Sequence, residues 1–75
     1  MPISTQEVIV GGEYVTDSDQ LRKVTEIVQD TDGQTRVHYD SKSAKYPYRN
    51  WLSGHTKENA PLLDAFAEVC ERKTN

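Results

Sequence analysis

The chain is short of nearly everything that announces a chemistry. It has one cysteine, Cys70, so no disulfide can form within it. That excludes the small disulfide-stapled scaffolds and suits a reducing compartment, and the expected location is cytoplasmic. Cys70 and two histidines, His38 and His55, are the only thiol or imidazole ligands, and no two of them stand at metal-site spacing. No metal and no cofactor is expected. Gly11-Gly12 lacks the lysine and the spacing of a phosphate-binding loop. No apolar run approaches the length of a membrane span, and MPISTQEV has neither the basic start nor the apolar centre of a secretory signal. His38 could move a proton, but no nucleophile can be set beside it. Carboxylates cluster in turns, where capping explains them. No catalytic residue is assigned, and a non-enzymatic role is expected.

Apolar side chains are also scarce, at 35 % of 75 residues. One small domain spanning residues 1–75 is the most this length supports, and its core must be thin. The apolar residues that are present fall in short clusters separated by polar turns, which is the pattern of a folded chain. Residues 7–10 (EVIV) and 13–16 (EYVT) are strand-like, with the Gly11-Gly12 break between them. In residues 20–29, QLRKVTEIVQ, the apolar positions have helical spacing, but four of the residues are β-branched. Helix and strand both remain open, with a bulged or strongly bent strand favoured, because Val24 and Ile27 can share a face only across a bulge. DTDG at 30–33 predicts a hairpin turn. Residues 34–41 then alternate cleanly, Val37 and Tyr39 on one face, Arg36, His38 and Asp40 on the other. A loop at 42–45 leads to Tyr46-Pro47-Tyr48 and a fourth strand candidate at 49–52. Residues 59–73 predict a helix, with Asn59 as N-cap, Pro61 in its first turn and an apolar stripe of Leu62, Leu63, Phe66, Val69 and Cys70.

Charge is unevenly placed. Net charge is −3, yet residues 36–57 carry five basic side chains against Asp40 alone, while residues 1–35 carry two basic and seven acidic. The basic stretch also holds Tyr39, Tyr46, Tyr48 and Trp51, which are three of the four tyrosines and the only tryptophan. Aromatics beside arginine are common anchors of protein interfaces. The bland alternative is a solvated basic loop over aromatics that simply pack, and Tyr39, alternating with Val37, reads more readily as core.

The order GGEYV, LRKVTEI, DG turn, RVHYDS and a loop ending in YRNWL resembles the Tudor and chromo-barrel group of SH3-like domains over residues 11–53. It is similar too in general plan to small SH3-like proteins of bacteria, phages and mobile elements. The resemblance implies a mainly β fold: a small barrel of four to five bent antiparallel strands over residues 7–53, with a C-terminal α-helix at 59–73. It implies a pocket walled by Tyr39, Tyr46, Tyr48 and Trp51, with Asp40 as the acid, taking a methylated cation against the ring faces. Lys42, Lys45 and Arg49 depart from that pattern because they would repel a cation.

Three roles follow. The first is a protein- or peptide-binding module using Tyr39, Asp40, Tyr46, Tyr48 and Trp51. The second is a nucleic-acid-binding barrel using Arg36, His38, Lys42, Lys45 and Arg49, which the acidic flanks and net charge disfavour. The third is an assembly subunit that dimerises through Leu62, Leu63, Phe66 and Val69.

Overall fold

A computed structural model describes residues 3–53 and 60–74. Five antiparallel strands form one sheet: β1 (Glu13–Thr16), β2 (Gln20–Gln29), β3 (Thr35–Ser43), β4 (Leu52–Ser53) and β5 (Cys70–Lys73). Their spatial order is β4-β3-β2-β1-β5, and among the described residues one α-helix, α1 (Leu63–Val69), lies between β4 and β5 in the chain. The fold is mainly β, with bent strands and a helix near the C-terminus.

The long β2–β3 hairpin is the spine. Its turn follows from Asp30, whose Oδ1 accepts from the backbone N–H groups of Asp32 and Gln34, and from Gly33, whose φ of +79° suits a residue without a Cβ. The register slips between Val24 and Glu26. That bulge places Thr25 outward and lets Val24 face Tyr39 while Ile27 faces Val37, so both apolar residues reach the core. The bent-strand reading of residues 20–29 is therefore the one the fold adopts. The β1–β2 turn is built on Thr16, which is 2 % exposed and whose Oγ1 accepts from the N–H groups of Ser18 and Gln20.

Helix α1 drops Phe66 onto the sheet. Its ring meets Tyr14 edge-on at 5.8 Å and Tyr39 at 5.3 Å, among Val8, Val24, Val37, Ala67 and Cys70. Burial of each large side chain here contributes roughly 1.5–3 kcal/mol. Arg22 closes the open side of this core: its guanidinium carbon sits 4.6 Å from the Tyr39 ring centroid and 5.6 Å from that of Phe66.

Three expected elements differ. The helix does not run over 59–73; it ends at Val69, and Cys70–Lys73 is strand β5, paired with β1 through Thr16↔Cys70, Val15↔Arg72 and Tyr14↔Lys73. The outer edge of β1 needs hydrogen-bond partners next to a buried core, and that long-range demand overrides the local helical stripe. The expected cap at Asn59 lies outside the described residues. Residues 7–10 do not form a strand. Thr5–Glu7 is a 3₁₀ turn capped by Ser4, and the chain then turns through Gly11 at φ +85°, Gly12 N–H donating to Ile9 C=O. The Tyr14 hydroxyl takes this segment's backbone instead, donating to Glu7 C=O and accepting from Ile9 N–H. The fourth strand is only Leu52–Ser53, because 43–49 is taken up by consecutive turns in which Tyr46 N–H reaches Ser43 C=O and Arg49 N–H reaches Tyr46 C=O.

Candidate functional site

The surface of interest is the end of β3, the loop after it and β4. Two turns fold the 44–51 loop back on the sheet, and Pro47, which fixes its own φ, holds Tyr46 and Tyr48 on a short rigid bend. The two tyrosine rings stand 6.2 Å apart and nearly perpendicular. Tyr46 is 45 % exposed, Tyr48 79 % and Leu52 70 %, and Trp51 is half-buried. A shallow groove of about 530 Å³ runs here, lined by Lys42, Ser43, Tyr48, Arg49, Asn50 and Leu52.

Two of the three rings on this surface already face a cation of the same chain. Lys42 Nζ lies 4.2 Å from the Trp51 ring centroid and donates to Pro47 C=O at 2.7 Å. The Arg49 guanidinium lies 5.0 Å from the Tyr46 ring. These contacts attract because a ring face is the negative pole of its quadrupole, and the Lys42 contact, with its hydrogen bond to Pro47, ties the loop to β3. Residues 41–53 contain three cations and no acid. Among the described residues neither Lys45 nor Arg49 has a carboxylate within ion-pair distance.

The structure thus gathers Tyr46, Tyr48, Trp51, Lys42 and Arg49 from the residues singled out by sequence. It sets others apart. Tyr39 is in the core, 8 % exposed, against Phe66 and beneath Arg22, so it does not stand with the exposed rings as a pocket wall. Its alternation with Val37 already favoured the core. Asp40, next in the strand, points to the opposite face and is half-buried beside its strand neighbours Lys23 and Ser53.

The basic residues divide in the same way. Arg36 is structural: Nε donates to Asp30 Oδ2 at 2.8 Å and a terminal nitrogen donates to Ala60 C=O at 2.7 Å, tying the hairpin turn to the segment that pairs alongside β3. That guanidinium, with the backbone N–H groups of the turn, holds the Asp30 carboxyl below its ordinary pKa. His38 Nδ1 stands 4.0 Å from Glu26 Oε2. Lys45 and Arg49 are exposed.

Leu52, an apolar residue in the fourth strand candidate, is 70 % exposed and lines the groove. Its position beyond the two turns, on a two-residue edge strand, is what turns it outward, and no periodicity in so short a segment could have signalled this. Ser43, at the end of β3, and Asn50, in the loop, complete the lining.

Elsewhere the chemistry is quiet. Cys70 is fully buried, and burial pushes its thiol up to about 11, far from a thiolate at neutral pH. Burial likewise raises the Tyr14 phenol above its ordinary value, so it stays a hydrogen-bond donor. Among the described residues no group of three or more His, Cys, Asp or Glu side chains could hold a metal ion, and no helix is long and apolar enough to cross a membrane. The chain matches no protein-family model, no curated protein and no solved structure.

Proposed function

We propose that this is a non-catalytic interaction module that binds a protein or peptide through the face formed by Lys42–Leu52. The observation that carries the reading is the exposure of Tyr48 and Leu52 along one groove, on a loop restrained by Pro47 and by Lys42, which reaches both the Trp51 ring and Pro47 C=O. Large apolar groups held rigidly at the surface lose little conformational freedom on binding, which is why such groups anchor interfaces. The strand order, the short fourth strand and the return of the last strand to β1 support an SH3-like reading of the sheet. The Tudor-type cage is less well supported, since Tyr39 is in the core and Lys42 and Arg49 occupy the Trp51 and Tyr46 rings. The cytoplasm is the compartment we propose, because the one cysteine, Cys70, is a buried thiol that a reducing compartment suits.

Nucleic acid is the weaker alternative. Arg36 is bound to Asp30 and Ala60, and Lys42 to Pro47 and Trp51, which leaves Lys45 and Arg49 as the cations best placed for phosphate. Two such contacts make a thin electrostatic footprint. Homodimerisation through the helix stripe has less support still, because Phe66 packs inside its own chain.

The test is selection from a displayed random-peptide library on immobilised protein, with counter-selection on a Tyr48→Ala/Leu52→Ser variant. Both side chains are exposed, so the variant keeps the fold. Peptides that share a motif and lose binding on the variant are expected. Enrichment that the variant does not alter, or none at all, would refute the interaction face.

A further inference from the structure

We infer that the groove between Tyr48 and Leu52 takes an acidic segment of a partner protein, with an apolar side chain in the groove and flanking carboxylates on Arg49, which lines it, and on Lys45, exposed on the turn that follows Ser43. The inference deepens the interaction-module reading and rests on it.

Three observations lead there. First, two of the three outer rings that would attract a cationic ligand are already engaged, Trp51 by Lys42 at 4.2 Å and Tyr46 by Arg49 at 5.0 Å, and the third, Tyr48, shares the groove with Lys42 and Arg49. A methylated lysine arriving at either ring would meet a like charge a few ångströms away, in the geometry that disfavours a wrong partner most strongly. Second, residues 41–53 carry Lys42, Lys45 and Arg49 with no acid, inside a chain whose net charge is −3. The rest of the surface therefore repels an acidic ligand while this patch attracts it, and approach is steered to the groove. Third, Leu52 and Tyr48, at 70 % and 79 % exposure, give the groove apolar walls. A bare phosphate or a uniformly charged chain would leave those walls uncovered, whereas an acidic segment with an apolar side chain covers walls and cations together. The same point favours a polypeptide over a nucleic acid.

Arg49 suits this role. It is exposed, has no carboxylate partner among the described residues, and its planar fork can accept a carboxylate along its edge while its face stays on Tyr46.

The experiment uses the full chain, isotope-labelled for amide shifts, with Trp51 fluorescence as a second readout. The probe is a capped hexapeptide with two glutamates on each side of a Leu-Phe pair. Matched peptides carry glutamine, or trimethyl-lysine, in place of the glutamates, and a short single-stranded oligonucleotide is a further arm. The expected result is saturable shifts confined to residues 42–53 with the acidic peptide. Affinity should fall by about tenfold or more with the glutamine peptide and with the Arg49→Glu variant, a rim-charge effect. Lys45→Glu should weaken binding in the same direction, and Arg72→Glu, on β5, should not.

If the glutamine or trimethyl-lysine peptide shifts the same residues as strongly, the acidic preference is wrong and the interaction face stands. If only the oligonucleotide binds, in a salt-sensitive way, the partner class is wrong. Shifts that grow with protein concentration alone and vanish in Arg49→Glu would give the groove to a second copy of the chain and overturn the proposal. No shift with any peptide would overturn both the acidic segment and the module beneath it.

Discussion

Gly12 and Tyr14 should be coupled, and the structure fixes how. A Cβ built on Gly12 falls inside van der Waals contact of the Tyr14 hydroxyl, with Cζ at 2.7 Å and Cε2 at 2.9 Å. The ring cannot swing away, because Tyr14 is fully buried and wedged edge-on against Phe66. The hydroxyl is also committed, since it donates to Glu7 C=O and accepts from Ile9 N–H. Gly12→Ala must therefore displace backbone or break those bonds, an overpacking effect of about 2–3 kcal/mol. Tyr14→Phe removes the hydroxyl and leaves two partly buried backbone groups without a side-chain partner, at about 1–3 kcal/mol. In the Tyr14→Phe background the closest clash is gone but the ring carbons remain. Gly12→Ala should then cost about 1 kcal/mol less than in the parent, a coupling typical of residues in contact. Equilibrium urea unfolding followed by circular dichroism would measure all four corners of the cycle. A chain of this length is expected to hold about 4–11 kcal/mol in total, so each change should move the midpoint visibly. A cost below about 0.5 kcal/mol for Gly12→Ala, or strict additivity of the two changes, would refute the packing described here.

Phe66→Asp should unfold the domain, because an unpaired carboxylate would sit at a position with no exposure, and Phe66→Ala should cost about 3–5 kcal/mol; a folded, monomeric Phe66→Asp protein in sedimentation and circular dichroism would instead return the helix stripe to the surface. The pH dependence of the hairpin follows from Asp30, whose carboxyl is held below the ordinary 3.8 chiefly by its hydrogen bond from Arg36. A depressed carboxylate stabilises the fold above its unfolded value and loses that contribution as pH falls through the lower folded value, so thermal stability should drop on acidification below about 4 and the drop should shrink in Asp30→Asn. Cys70, buried and pushed up to about 11, should resist iodoacetamide at pH 8 in the native protein and react at a rate that tracks unfolding; native labelling at the rate of a free thiol would contradict its burial.

Much of the sheet was legible because its signals are local. The alternation of Val37 with Tyr39, the Asp-Gly turn and the need for a bulge between Val24 and Ile27 are each readable within a few residues, and all appear in the fold. What stayed hidden depends on partners distant in sequence. Cys70–Lys73 carries no strong strand signal and extends an apolar stripe, so a helix is the natural reading until β1 is known to lie alongside with an unpaired edge. Residues 7–10 fail in the opposite sense. Their β-branched run is strand-like, but the hydroxyl of Tyr14, an apolar residue in most sequence readings, captures the backbone and Gly11 turns it.

The aromatic–cation contacts carry the same lesson into the site. Arg22 on Tyr39 and Phe66 and Arg49 on Tyr46 are the same chemistry, and nothing in the residue types separates them. Burial does. Tyr39 and Phe66 are core rings, so Arg22 is a lid whose guanidinium works where water is largely excluded and the attraction is strongest. Tyr46 is open to solvent, so Arg49 gains little for the fold and keeps its hydrogen-bonding edge available. A cation that contributes little to stability, held in place by a ring beside exposed Tyr48 and Leu52, is better explained by what it can contact than by what it supports. That asymmetry between the inner and outer arginines, rather than the count of aromatics in the stretch, is what favours the Lys42–Leu52 face as the proposed contact surface.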